Sequence, residues 1–302
     1  MRKFLLISLL AVLALTSLTG AVFAVDTDDL TALARYYPAE TPMFVAIRTD
    51  DAYIAELDVV LSLVNRNMDG DLLPPGFGLV DLLDQLAFDA TGRSFERAFG
   101  WLGNTAALGL TSLDDIMTAP VPPLLVAFEV ADFEAAREFW TMALGEFELN
   151  IIEEDDYIAF ESWDSGLVLT EDVALLAPEL SIAMAAYKHA GDTLADSELF
   201  RGTFDLLPLD SYNIALFVDN ESVLAFNELM MMDAMMAAPE PMPFDLSAFN
   251  AAMAGQDAVP AVVMAFTIVE GRNLVADIAE VAEMTITGRR ICTPNDCPTI
   301  SR

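Results

Sequence analysis

The stretch "MFVAIRTDDAYIAELDVVLSLV", Met43 to Val64, changes its pattern halfway along. Met43 to Ile47 is a short apolar run of strand length. Thr49 and Asp50 then supply helix-capping side chains. Beyond them Ile54, Leu57, Leu61 and Val64 recur at helical spacing, which places them on one stripe. The stretch therefore predicts a strand, a polar break and an amphipathic helix.

The same order returns twice. "LLVAFEVADFEAAREFWTMAL" starts at Leu124 and "YNIALFVDNESVLAFNELMMM" at Tyr212. The strand centres align as Val45-Ala46-Ile47, Val126-Ala127-Phe128 and Ile214-Ala215-Leu216, and Asp132 and Asp219 or Asn220 stand where Thr49 or Asp50 stands in the first copy. Anchors repeating every roughly 80 to 90 residues suggest a weak internal duplication. "YIAFES" from Tyr157, "GLVLT" from Gly166 and "VALLAP" from Val173 are strands too closely spaced for crossover helices, so they pair antiparallel. "VVMAFTIVEG" from Val262 runs through a turn into "NLVADIAEVAEMTITG", which reads as a hairpin. Helical segments are expected over 79–88, 94–101, 180–189 and 197–207. The whole predicts an α+β fold of repeated strand–helix–strand–strand units, with mainly antiparallel sheets packed by helices.

Around this core the chain divides into four parts. Residues 1–24 have the layout of a secretory signal peptide: Arg2 and Lys3, an apolar run from Phe4 to Leu15, and a small-residue exit ending at Ala24. An uncleaved anchor is the rival reading, but the acidic start beyond Ala24 favours cleavage. A first α+β module is expected over 25–121, with "TAPVPP" before Leu124 as the seam. A second module follows over 122–288, carrying a Met-rich flap at 228–244. The tail, 289–302, holds Cys292 and Cys297 around a Thr-Pro-Asn-Asp turn, a pattern that suits a small disulfide loop in an exported protein. The protein is thus expected outside the cytoplasm, secreted or at the cell surface, with no membrane span after cleavage.

Charge excludes some functions. The 302-residue chain carries a formal net charge of −34 with 48 acids. Loss of Arg2 and Lys3 would take this to −36, leaving Lys188 as the one lysine. Nucleic acid and anionic lipid need cationic surfaces, so neither is expected as a partner. The 55% apolar content rules out a disordered chain.

The segments "RYYPAETPMFVAIRTDD", "WLGNTAALGL", "ADFEAAREFW", "YIAFES" and the run from Asp172 to Asp219 resemble the bacterial exported family catalogued as domain of unknown function 3352. The resemblance spans roughly residues 35 to 288. It implies an exported or membrane-tethered bacterial protein and no catalytic residue.

Candidate chemistry is sparse. The one histidine, His189, sits at an expected helix end before a glycine, where a cation suits the helix dipole. No Gly-x-Ser-x-Gly, His-Glu-x-x-His or phosphate-cradling glycine loop occurs. A carboxylate-based hydrolase remains the enzymatic alternative, since the many acids offer pairs but single out none. "NRNMDGDLL" places Asn65, Asn67, Asp69 and Asp71 at alternate positions with Gly70 sixth, as at the start of an EF-hand loop, and marks a calcium candidate. Gly76 stands where the bidentate glutamate belongs, and Pro74 and Pro75 break the exit helix. A calcium-dependent surface protein is the alternative that follows.

The last feature is "ELMMMDAMMAAPEPMPF", 228 to 244. On a helix from Val223, the residues Val223, Phe226, Met230, Ala234 and Ala237 share one stripe. Met231 and Met235 point to one side of it, and Met232 and Met236 to the far side. The prolines end the helix before Met242 and Phe244. Core packing explains the stripe. Thioether copper binding would want a nearby His or Cys, and none is close. The adaptable side chains Met231, Met232, Met235, Met236, Met242 and Phe244 are therefore the candidate surface for a hydrophobic ligand or protein partner. The primary reading is an exported, non-enzymatic binding protein.

The signal-peptide reading has a direct check. The N-terminus of the protein recovered from the exporting cell is expected at Val25; intact mass or Edman sequencing that finds Met1 overturns it.

Overall fold

The computed structural model describes residues 25–67, 77–113, 122–144, 149–163, 165–220, 222–223, 260–269, 273–281 and 287–292. Thirteen strands occur among them: β1 (Val25–Asp26), β2 (Met43–Arg48), β3 (Leu102–Leu110), β4 (Leu124–Val130), β5 (Asn150–Glu153), β6 (Ile158–Glu161), β7 (Gly166–Leu169), β8 (Val173–Ala177), β9 (Ser211–Tyr212), β10 (Ile214–Asp219), β11 (Ala261–Val269), β12 (Asn273–Val281) and β13 (Thr287–Cys292). The helices are α1 (Thr27–Thr31), α2 (Asp51–Asn67), α3 (Leu79–Thr91), α4 (Phe95–Phe99), α5 (Phe133–Leu144), α6 (Leu180–Tyr187) and α7 (Glu198–Phe204). The α+β class and the antiparallel pairing expected from sequence are both present.

β1 and β9 form a small ribbon, and the other strands form an 11-stranded sheet in the order β13-β12-β11-β10-β2-β3-β4-β8-β7-β6-β5. Every ladder in it is antiparallel. The chain lays down β2, β3 and β4 at the centre. It then crosses by α5 to one edge, returns inward as β5 to β8, and builds the other half outward as β10 to β13. The sheet continues across the expected seam: β3 pairs with β4, and Thr111 N–H donates to the Pro123 carbonyl at 2.9 Å.

Several strands had no clear signal in the sequence, β3 and β13 among them. β3, "LGNTAALGL", has one β-branched residue, Thr105, and no aromatic, and its conformation is imposed by β2 and β4 on either side. β13 takes up Thr287 to Cys292, so the tail expected as a loop begins as a strand paired with β12.

Of the expected cap residues, Thr49 or Asp50, Asp132, and Asp219 or Asn220, the aspartate caps in each unit. Asp50 accepts from the Tyr53 N–H at 3.1 Å, Asp132 from the Ala135 N–H at 3.0 Å, and Asp219 from the Ser222 N–H at 3.3 Å. Each satisfies an amide that a helix start would otherwise leave unpaired.

The aligned alanines meet in space. Ala265, Ala215, Ala46, Ala107 and Ala127 are successive register partners across β11, β10, β2, β3 and β4. All are buried. Their small side chains leave a shallow trough along one face of the sheet. Leu30 of α1, Leu33 and Ala34 of the 3-10 turn Ala32–Tyr36, Tyr37, and Phe200 and Phe204 of α7 share the buried cluster above it. Tyr37 stacks edge-on against Phe44 at 5.1 Å and donates its hydroxyl to the Leu125 carbonyl at 3.1 Å. Burial pushes its phenol pKa far up. Gly109 gives the ring room, since a Cβ there would lie 2.4 Å from a Tyr37 ring carbon. On the opposite face α4 and α5 pack Trp101, Phe139 and Trp140 over β4 and β8 to β6, with Trp101 and Trp140 at 5.7 Å.

Because the trough has no spare depth, Ala46→Leu is expected to destabilise by about 1–3 kcal/mol. Ala52→Leu, on the exposed side of α2, is expected to stay within about 0.5 kcal/mol. Urea midpoints measure both, and equal effects would refute the trough.

Candidate functional site

On the strands beyond β2 the two faces of the sheet differ. Along β11 the burial alternates strictly: Ala261, Val263, Ala265 and Thr267 are buried, while Val262, Met264 and Phe266 are half-buried. β12 follows suit, with Val275, Asp277 and Ala279 buried and Ala276 and Ile278 half-buried. Yet the half-buried side is apolar too. Register sets the positions of this side in rows: Leu110, Met43, Val218 and Val262, with Glu280 next in line; then Leu108, Val45, Leu216, Met264 and Ile278, with Arg289 next in line; then Ala106, Ile47, Ile214, Phe266 and Ala276.

The third row is roofed by Tyr53 and Leu57 of α2 and Leu79 of α3. In the first two rows Met43 is 38% exposed, and among the described residues Leu216, Val262, Met264 and Ile278 belong to none of the buried clusters. An apolar, half-exposed face on so acidic a chain is the feature that most resembles a binding surface.

A polar corner borders the roofed row. Arg48 is 5% exposed and pairs with Asp50, donating Nη2–H to Oδ1 at 2.7 Å and Nε–H to Oδ2. Its guanidinium lies 5.7 Å from the Tyr53 ring centre. Burial pushes the Tyr53 phenol pKa up, and the Arg48 charge opposes that rise. The pair locks the β2–α2 junction, because the same Asp50 oxygen, Oδ1, caps the helix.

The half-buried Glu129 and the buried Asp277 serve the fold. Glu129 Oε2 accepts from the Asn104 N–H at 2.9 Å and from the Thr105 N–H and hydroxyl at 3.0 Å each, satisfying the irregular stretch of β3. Asp277 accepts the Tyr212 hydroxyl at 2.8 Å. His189 is exposed, with Nε2 3.0 Å from the Asp192 carbonyl oxygen. Among the described residues no group of three or more His, Cys, Asp or Glu is placed to hold a metal ion, and no helix is long and apolar enough to cross a membrane.

Asn65 and Asn67 fall in the last turn of α2. Asp69 and Asp71 lie outside the described residues, as do Met231, Met232, Met235, Met236, Met242, Phe244 and Cys297. Cys292 closes β13. What the sequence did not single out was the apolar face. Its signal was present in β11, whose "AVVMAFTIV" is apolar on both sides, a pattern that usually means cover on both faces.

No family model and no curated protein matches the chain. A match among solved structures is crystal form I of TP0453, with 6% identity over 83% of this chain and 79% of that chain, at a TM-score of 0.37. A likeness at that level carries no argument about what this chain does.

The asymmetry of the faces is testable on adjacent residues. Val263→Asn is expected to cost at least about 2 kcal/mol, because it buries an amide without a partner. Met264→Gln is expected to cost less than about 1 kcal/mol. Equal denaturant midpoints for the two variants would place both residues in the core.

Proposed function

We propose that this chain is an exported, non-enzymatic binding protein that engages an apolar ligand, or an apolar patch of a protein partner, over the half-exposed face of β2, β10, β11 and β12. The observation that carries the proposal is the two-row apolar grid of Met43, Val45, Leu216, Val262, Met264 and Ile278, with Met43 38% exposed and the others half-buried, in a chain of net charge −34. Burying such a surface against an apolar partner gains about 25 cal/mol per Å². The acidic remainder keeps the free protein soluble without competing for the face.

The Met-rich stretch belongs to the same reading. Asp219 and Ala261 are register partners, so the chain between β10 and β11 leaves and rejoins the sheet at one end of this face. Met231, Met232, Met235, Met236, Met242 and Phe244 all lie in that connection. Thioethers that refit to many shapes suit a site for varied apolar groups.

Binding of a hydrophobic fluorescent dye and of neutral phosphatidylcholine vesicles tests the proposal. Leu216→Asp with Met264→Asp is expected to weaken both at least about tenfold, because a carboxylate resists desolvation at an apolar contact. Deletion of 230–244 is expected to weaken them as well. Unchanged binding in the folded point variants would end the proposal for this face, and unchanged binding after the deletion would remove the Met-rich stretch from it.

A further inference from the structure

We propose that the free edge of β5 docks an extended cationic segment of another protein, which adds to the sheet as one more strand. This surface is separate from the apolar face. β5 ends the sheet, all four of its residues are exposed, and among the described residues nothing pairs with its outer side.

The hairpin fixes which backbone groups point outward. Glu154 N–H donates to the Tyr157 carbonyl at 3.0 Å, so these two form a hydrogen-bonded pair. Such pairs alternate along an antiparallel ladder, which makes Ile152 with Ala159 and Asn150 with Glu161 hydrogen-bonded as well. Ile151 and Glu153 are left with N–H and C=O directed away from β6. Two donors and two acceptors at alternate positions are the template that strand addition uses. Of the usual guards β5 has only its shortness and the charge of Glu153; it has no lysine, no proline and no bulge. Ile151, 42% exposed, and Ile152, 37% exposed, offer apolar contact on the two faces of the added strand.

Charge selects the partner. Residues 149–177 contain Glu153, Glu154, Asp155, Asp156, Glu161, Asp164, Glu171 and Asp172 and not one lysine or arginine. Arg137 engages Glu153 at 2.6 Å, and Tyr187 donates to Asp156 at 2.8 Å. Glu154 and Asp155 stay exposed at the turn beside the edge. A second copy of this chain would set the same acids against these, which repels self-pairing. A strand carrying Lys or Arg at alternate positions is attracted, and it hydrogen-bonds the same outward groups.

The test uses the full chain and a blocked peptide of about nine alternating Lys and Val residues, the length of a long strand. Its counterpart has Glu in place of Lys. Fluorescence anisotropy reads binding, and amide hydrogen exchange reads Ile151 and Glu153. The Lys peptide is expected to bind, with exchange at those two amides slowed at least about tenfold, and the Glu peptide is expected not to bind. Ile151→Pro removes one outward donor without touching the β6 ladder, and it should weaken binding about tenfold with circular dichroism unchanged. Glu154→Lys with Asp155→Lys, which leaves the backbone intact, should weaken binding to a similar extent. Binding that survives both variants, or that leaves the Ile151 and Glu153 amides unprotected, is attraction to acidic surface at large and overturns the proposal. Dimerisation of the protein through this edge in sedimentation would overturn it too.

Discussion

The packing of the N-terminal segment and α7 onto the sheet depends on one constraint: five neighbouring strands must present alanine at the same level. Ala265, Ala215, Ala46, Ala107 and Ala127 form that row, and every one is buried. A sheet lined with larger residues would hold the covering layer further off. Here Tyr37 reaches the Leu125 carbonyl, and Phe44 and Phe200 meet edge-on at 5.6 Å. Close packing of this kind makes the interior respond to single methylenes. It also joins both halves of the chain, since the row draws on strands laid down early and late.

The other face follows a looser rule. Over β4 and β6 to β8 the aromatic cluster of α4 and α5 covers it fully, and α2 with α3 roofs the row of Ile47, Ile214 and Phe266. The remaining rows keep apolar side chains at partial exposure. A protein with so few cations has little means of masking that surface with long snorkelling side chains.

Much of the fold could be read from residues alone. The change from strand to helix periodicity at Met43–Val64, Leu124–Leu144 and from Tyr212 foretold β2, β4 and β10. The capping aspartates Asp50, Asp132 and Asp219 were legible because a short acceptor side chain before a helix has one common use. The alignment of Ala46 with Ala127 and Ala215 was visible as repetition. β3 escaped notice because "LGNTAALGL" has little strand propensity beyond Thr105, and β5 because four residues carry too little periodicity. The site was less legible than the fold. The Met-rich stretch and the Asn65 to Asp71 run stood out by composition, but a site needs groups from distant parts of the chain to converge.

By itself, then, the sequence determined the α+β class, the antiparallel strand spacing, the helix starts and the acidic balance, because these depend on neighbours a few residues apart. Tertiary structure decided which strands lie side by side. It brought Ala107 and Ala265 into the row begun by the repeats. It also left Val262 and Met264 half-exposed while Val263 and Ala265 between and beside them are buried. β11 is apolar on both sides, so its own pattern holds no record of which side is covered. That choice falls to the elements that pack against it, α7 on the buried face and no described cluster over Val262 and Met264 on the other, and such contacts lie far apart in the chain.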